Sequence, residues 1–69
     1  MITKGQRYRH YKGNEYVVLA IGKQSETLEE MVVYQGQYDD KPIWIRPLAM
    51  FEETVVVAGK VVRRFELIS

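Results

Sequence analysis

Short apolar runs separated by turn-forming residues dominate the chain. The runs are rich in Val, Ile, Tyr, Trp, Phe and Thr, and Gly, Asn, Asp and Pro lie between them. This arrangement is typical of β-strands joined by turns, and no window keeps the period of an amphipathic helix. Strands are predicted at residues 7–11, 15–23, 31–38, 43–46, 54–57 and 61–68, with one helical turn at 48–53.

The segments between the apolar runs predict turns, a loop and a bulge. Residues 12–14, Lys-Gly-Asn, suit a tight turn because Gly and Asn tolerate a positive φ. Residues 24–30 are polar and acidic and predict a long loop, and Gly22 is the expected site of a bulge or bend. Five or six short strands with one short helical turn predict an all-β fold, a small antiparallel barrel whose closure hides the sheet edges.

Length and charge limit the classes of protein that fit. The chain has 69 residues, no cysteine and a formal net charge of +1. We expect a single domain over residues 1–69, without disulfides or thiolate metal sites. The basic first dozen residues lack an apolar run behind them, and the apolar runs are too short to span a bilayer. These features predict a cytoplasmic protein without a membrane partner.

The net charge is a sum of three unlike segments. Residues 1–23 carry +4, residues 24–40 carry −5 and residues 41–69 carry +2. The sum argues against the uniformly basic surface of a duplex-DNA binder, but it allows a local basic patch. The simplest interpretation is that the oppositely charged segments face each other in the fold.

Aromatic side chains are the strongest functional signal. Five tyrosines, two phenylalanines and one tryptophan exceed what so small a core easily buries, so several rings are expected at the surface. Trp44 and Arg46 share one strand face, and Ile43 and Ile45 are expected to turn inward. An exposed Trp beside Arg suits stacking on a base, a proline-rich peptide or a cation. Alternatively, Trp44 plugs the barrel end and Arg46 pairs with an acidic loop residue.

His10 is the only histidine, and its chemistry depends on what the fold brings near it. As a general base it needs a partner such as Ser25, Glu26 or Thr27. Otherwise His10 is a structural hydrogen-bonding residue, and the hydroxyls of Ser25 and Thr27 shape their own turn. No metal or cofactor is predicted, because one histidine without cysteines leaves only dispersed carboxylates, and no nucleotide motif is present.

The candidate ligand-binding residues combine the aromatic, basic and loop signals, and Tyr38 is a further candidate for an exposed ring. They are Tyr8, Arg9, His10, Tyr11, Ser25, Glu26, Thr27, Tyr34, Trp44 and Arg46.

A set of short motifs also resembles a known family. In order, they are GQRYRHYKG at residues 5–13, EYVVLAIG at 15–22, SETLE at 25–29, VVY at 32–34, WIRP at 44–47, MF at 50–51 and RF at 64–65. Together they resemble the bacterial family known as domain of unknown function 1653 over nearly the whole chain. The resemblance implies an SH3-like barrel and no activity, because the family has no assigned function. The family often has histidine before the SET motif, whereas this chain has Gln24, which argues against a mechanism needing an imidazole there.

Several functions are compatible with these patterns. The leading prediction is a non-catalytic binding module for a peptide or protein, and the alternative ligand is single-stranded nucleic acid or a nucleotide. A small hydrolase using His10 ranks below both. The protein is expected to be a monomer or a weak homodimer.

Overall fold

Neighbouring segments of the chain pair as antiparallel strands, as the alternation of apolar runs and turns predicts. The computed structural model describes residues 2–69. Its elements are β1 Arg7–His10, β2 Glu15–Lys23, β3 Glu30–Gly36, β4 Ile43–Pro47, α1 Leu48–Phe51, β5 Thr54–Val57, β6 Lys60–Arg63 and β7 Phe65–Leu67. The all-β prediction is confirmed. The last predicted strand is two strands, because the chain leaves the β6 ladder at Arg64 and joins another sheet.

The strands form two sheets. One has five strands in the order β4-β3-β2-β1-β7, and the other contains only β5 and β6. Pairing of β1 with β7 makes the first and last strands neighbours in the sheet. Within residues 2–69 the ladders do not close into a ring, so the closed SH3-like barrel stays a prediction.

The pairing register assigns each side chain to a face of the large sheet. Directly opposed residues share a face, so the pairs Tyr8↔Tyr16 and Val18↔Tyr34 define an inner face. A bulge falls between Val18 and Ala20, not at the expected Gly22. One extra residue there shifts the alternation by one position, so that Ile21, opposite the buried Val32, lies on the inner face.

The core lies between the inner face and the short helix. Phe51 of α1 stacks on Phe65 of β7 with ring centroids 4.1 Å apart, and both rings are buried. Tyr34 and Tyr8 contact Phe51 edge-on, at 5.2 and 5.1 Å. Such edge-to-face contacts favour one ring geometry over others, so the core holds the strands in a defined arrangement. Leu67, expected in the core with Phe65, is 50% exposed.

The opposite, outer face is open to solvent. Ile43 and Ile45 lie on it and are 58% and 65% exposed, so the prediction that they turn inward is wrong. The error arises because β4 is an edge strand whose inner side is occupied by Trp44 and Arg46, and α1 covers only that side.

The β5–β6 hairpin packs chiefly on itself. Its two-residue turn, Ala58-Gly59, has φ angles of 50° and 79°, the left-handed values that the favoured hairpin turn requires. Val56 and Val61 face each other across the hairpin and are 71% and 70% exposed. The hairpin therefore extends from the main sheet with an uncovered valine pair.

Candidate functional site

Five side chains on the inner face form a continuous half-exposed surface, which we call the aromatic rim. Its members are His10, Tyr16, Tyr38, Trp44 and Arg46. Strands β1, β2 and β4 supply four of them at one end of the sheet, and the loop after β3 supplies Tyr38. The ring centroids of Tyr16 and Tyr38 are 5.6 Å apart, and those of His10 and Tyr16 are 6.5 Å apart.

Tyr38 is the centre of the rim's hydrogen bonds. Its hydroxyl accepts a bond from Trp44 Nε1 at 3.1 Å and lies 3.3 Å from the hydroxyl of Tyr16. Burial and the neighbouring Tyr38 hydroxyl raise the pKa of Tyr16 to about 12. The ring fits because residue 36 is glycine: a Cβ there would lie 2.5 Å from Cε2 of Tyr38. Gly36 thus permits the packing that positions Tyr38.

Trp44 and Arg46 are held from the buried side. Trp44 is 48% exposed although its indole nitrogen is bonded. Arg46 Nε donates to the hydroxyl of the buried Tyr34 at 3.2 Å, and its guanidinium carbon lies 5.9 Å from the centroid of Phe65. Among residues 2–69 Arg46 has no carboxylate partner, so the alternative in which Arg46 pairs with an acidic loop residue is wrong. Its positive charge faces aromatic rings instead.

His10 lies at the other end of the rim. Its Nδ1 accepts the backbone N–H of Lys12 at 3.1 Å, which places the proton of the neutral ring on Nε2. The ring packs on Phe65 and Tyr11, with centroids 5.0 and 4.5 Å away. Burial lowers the pKa of His10, and the positive charges of Arg64, Lys12 and Arg46 lower it further. His10 is therefore an uncharged ring in a positively charged setting.

A groove of about 490 Å³ adjoins the rim at His10. It runs between the β1–β2 turn and the β5–β6 hairpin, and Tyr11, Val57 and Val62 contribute apolar walls. Tyr11 is 40% exposed, as the sequence predicts for some tyrosines. Groove and rim together offer an extended path over the surface.

Two predicted exposed tyrosines are core residues. Tyr8 and Tyr34 are only 8% and 4% exposed, so neither ring presents a face to a ligand. Each keeps a polar partner for its hydroxyl: Tyr8 donates to Gln6 Oε1 at 3.1 Å, and Tyr34 accepts from Arg46. Desolvation is the largest cause that raises the pKa of Tyr8. Both tyrosines support the site from beneath.

Arg9 lies on the outer face, away from the rim. It bonds Glu15 at 3.2 Å, and Arg7 bonds the same carboxylate at 3.3 Å. Hydrogen bonds from Arg9 and then Arg7 lower the pKa of Glu15. Such exposed pairs contribute little to stability. Arg9 also lines the groove beside His10, so it belongs to the groove and not to the rim.

The loop of Ser25, Glu26 and Thr27 lies at the far end of β2 from His10. Nine residues of β2 separate the two sites, about 25–30 Å at the rise of an extended strand. The proposed pairing of His10 with these side chains is therefore wrong. Gln24 organises the loop instead, because its Oε1 accepts the backbone N–H groups of Glu26 and Thr27.

Residues 2–69 contain no cluster of three His, Asp or Glu side chains placed to hold an ion. In the same part of the chain, no helix has the length and apolar character needed to cross a membrane.

Sequence reasoning missed Tyr16 as a site residue. It stands in the apolar run of β2, which predicts a buried central strand, and the binding prediction therefore did not include it. The usable signal is the Gly36-x-Tyr38 spacing, because a glycine opposite Tyr16 leaves space for a second ring.

Comparison with known proteins gives one consistent result. The family model described as "Protein of unknown function (DUF1653)" matches residues 6–67. A crystal structure of a DUF1653 protein from Bordetella bronchiseptica is 35% identical and covers 97% of this chain and 87% of that chain, with a TM-score of 0.85. No curated protein matches the chain. The resemblance seen in the motifs is confirmed, and the chain belongs to the DUF1653 family.

Proposed function

We propose that the protein is a non-catalytic binding module that takes a peptide or protein segment across the aromatic rim. The observation that carries this proposal is Trp44, a large ring that is 48% exposed and yet held in place by a hydrogen bond to Tyr38. A ring fixed before binding loses little conformational freedom when a ligand covers it. Trp and Tyr are also the side chains that contribute most at binding surfaces.

The shape of the surface favours an extended ligand. Rings set edge to face along the rim resemble the aromatic-lined grooves that bind proline-rich segments, whose backbone is already extended. The groove beside His10 continues the path towards Val57 and Val62. Arg46 adds a positive charge without a carboxylate partner among residues 2–69, which suits an acidic group on the ligand.

The proposal retains the SH3-like interpretation of the fold. Small SH3-like domains bind ligands on a face flanked by loops, and loops on a rigid scaffold concentrate binding residues. Here the loop after β3 and the β1–β2 turn flank the rim. The far loop at Ser25, Glu26 and Thr27 is left outside the proposed site.

The test is a titration of ¹⁵N-labelled protein with a proline-rich decapeptide carrying one acidic residue. We expect shifts at the Trp44 indole and at the amides of Tyr38 and Arg46, and at least a tenfold weaker binding in Trp44→Ala. Ile45→Ala is the matched control, because Ile45 is the adjacent exposed side chain on the opposite face. Equal weakening in the two variants, or no shifts at the rim with any of a panel of such peptides, contradicts the proposal.

Single-stranded nucleic acid or a nucleotide is the second candidate ligand. It is favoured by the cations that surround His10, since Arg64, Lys12 and Arg46 all lie near enough to lower its pKa. Phosphates would meet these charges while bases stack on Trp44 or Tyr16. A dT10 oligonucleotide separates the candidates, because phosphate contacts make affinity fall steeply with salt. Peptide binding at the rim changes far less between 50 and 300 mM NaCl, about 2-fold or below for one exposed charge.

A further inference from the structure

The β5–β6 hairpin is an isolated two-stranded ribbon. Within residues 2–69, β5 pairs only with β6, and no backbone hydrogen bond reaches the outer side of either strand. Two-stranded hairpins are marginally stable in water, and an open strand edge is a template for pairing with another chain. Its valines add exposed apolar surface, because Val56 and Val61 are both about 70% exposed.

The ladder shows which backbone groups are free. The two-residue turn makes Val57 and Lys60 a hydrogen-bonded pair. Along an antiparallel ladder, hydrogen-bonded pairs alternate with pairs whose backbone groups point outward. The bond from the Arg64 N–H to the Glu53 carbonyl, at 3.0 Å, agrees with this alternation. Thr54 and Val56 therefore direct their N–H and C=O groups away from β6, towards an unoccupied edge.

The two edges of the hairpin differ in charge. The β6 edge carries Lys60 and Arg63 and continues into Arg64, and exposed charges are a common protection of strand edges. Two copies pairing through β6 about Val62 would set Lys60 directly opposite Arg64 of the second copy, which is unfavourable. The β5 strand, Thr-Val-Val-Val, has no charge and no proline, so its edge has neither protection.

We propose that two copies of this chain pair through their β5 edges, antiparallel and about a two-fold axis at Val55. Thr54 of one copy then lies opposite Val56 of the other, and both positions exchange backbone hydrogen bonds. The result is a four-stranded sheet in the order β6-β5-β5-β6. A second copy is the occupant because β5 is complementary to itself: neutral side chains meet neutral side chains, and the exposed valines of both hairpins join on one face.

The small contact area determines the strength of the pairing. Four residues per copy bury far less than the roughly 1,200–2,000 Å² of a stable interface, so the dimer is weak and its population depends on concentration. The rim contains no residue of β5, so ligand binding at the rim and pairing through β5 are measured separately. Only the groove, through Val57, includes a residue of the pairing strand.

Proline variants test the edge without disturbing the hairpin. Val56→Pro removes an N–H that points away from β6, and Val61→Pro removes the equivalent outward N–H of the other edge. Sedimentation velocity from 10 µM to 1 mM should show the native chain shifting towards a dimer, Val61→Pro behaving likewise and Val56→Pro staying monomeric. Circular dichroism and the dispersion of the NMR spectrum report whether each variant is folded.

A single cysteine tests the register independently, since the chain has none of its own. Val55→Cys places two thiols at a non-hydrogen-bonded pair on the two-fold axis, where Cα atoms about 4.5 Å apart permit a disulfide. The control, Val62→Cys, lies on the same face but is separated from its copy by both β5 strands, about 14 Å. In a glutathione redox buffer Val55→Cys should cross-link at least tenfold faster.

Three outcomes overturn the proposal. They are a native chain that remains monomeric at 1 mM, equal loss of association in the Val56→Pro and Val61→Pro variants, and equal cross-linking of the two cysteine variants. If the native chain is monomeric at 1 mM, a second copy does not pair with β5, and a strand of another protein becomes the partner to test at this edge. Peptide binding at the rim is measured separately in the Val56→Pro variant, because this substitution changes the β5 edge and no rim residue. Failure of the pairing proposal is thereby distinguished from failure of the proposed function.

Discussion

The five-stranded sheet and the β5–β6 hairpin are built from the same residue type and differ in what covers it. In the sheet, Val18 and Val32 are 1% and 0% exposed, whereas Val56 and Val61 of the hairpin are 71% and 70% exposed. The sheet has a cover because α1 and β7 bring Phe51 and Phe65 over its inner face. The contrast shows that β-propensity forms strands, but a packing partner decides whether they become a core.

The two regions also differ in the chemical groups that they expose. The sheet offers side chains, since its aromatic rim is a half-exposed extension of a rigid core. The hairpin offers backbone groups and valine methyls at an open edge. Recognition by side chains can be specific for a ligand, whereas an edge pairs with any compatible strand and its specificity comes from charge.

The largest expected effect comes from removing the Phe51 ring, which covers the inner face of the sheet. Phe51→Ala removes the ring that stacks on Phe65 and should lower the free energy of unfolding by about 3–5 kcal/mol, as aromatic deletions in cores do. Val56→Ala in the hairpin should stay within about 0.5 kcal/mol of the native value, because its side chain is already in water. Urea denaturation followed by Trp44 fluorescence measures both. A similar loss for the two variants would contradict the division into covered and uncovered regions.

A substitution at Gly36 tests whether close packing beneath Tyr38 positions the rim. Gly36→Ala forces the Tyr38 ring away and should cost about 1–3 kcal/mol, the usual range for overpacking. It should also release the Trp44 indole from its bond to Tyr38, which an NMR spectrum reports as a shifted indole N–H. Gly22→Ala is the control, because a Cβ at Gly22 meets open space. An unchanged indole signal in Gly36→Ala would exclude the proposed positioning of Tyr38.

The smallest expected effect is a change of the free energy of unfolding with pH, caused by His10 of the large sheet. The folded pKa of His10 lies below the unfolded value of 6.5, so below that pH the unfolded chain binds more protons and stability falls. The free energy of unfolding should therefore be lower at pH 5.5 than at pH 7.5. His10→Asn, whose side-chain oxygen can accept the Lys12 N–H, should remove most of the difference.

The lowered pKa of Glu15 does not interfere with that measurement, because its stabilising effect is lost only as pH falls below about 4.5. Amide shifts of Thr54, Val55 and Val56 should change least over the same range, since these residues do not line the groove beside His10 and carry no ionisable side chain. Larger changes at these three residues than at the neighbours of His10 would contradict the assignment to His10.

The local pattern located most elements but not the faces of the edge strand. The predicted strands at 15–23 and 54–57 match β2 and β5, because long β-branched runs bounded by turn residues leave few alternatives. For β4 the alternation identified two faces but not which of them is covered. Trp44 and Arg46 face inward because Tyr34 and Tyr38 offer partners for their polar atoms, and those partners come from another strand and a loop.

The candidate site was partly predictable for the same reason. His10, Trp44 and Arg46 were selected for their chemistry, and the fold brings all three to one rim. Tyr8 and Tyr34 have the same chemistry but lie under α1, and Ser25 to Thr27 lie a full strand length away. No local signal distinguishes a half-exposed tyrosine from a buried one, because the difference depends on which distant segment packs over it.

Sequence alone determined the secondary-structure class, the turns, the family and the lack of disulfides, since these depend on local backbone preferences and on residue identity. Tertiary structure decided the division into a covered sheet and an uncovered hairpin. It also decided the placement of His10 and Trp44 on one rim, with Tyr16 and Tyr38 between them, and the separation of His10 from Ser25. The reason is physical: burial and proximity arise from contacts between segments distant in the chain, and a one-dimensional pattern contains only the contacts that lie along it.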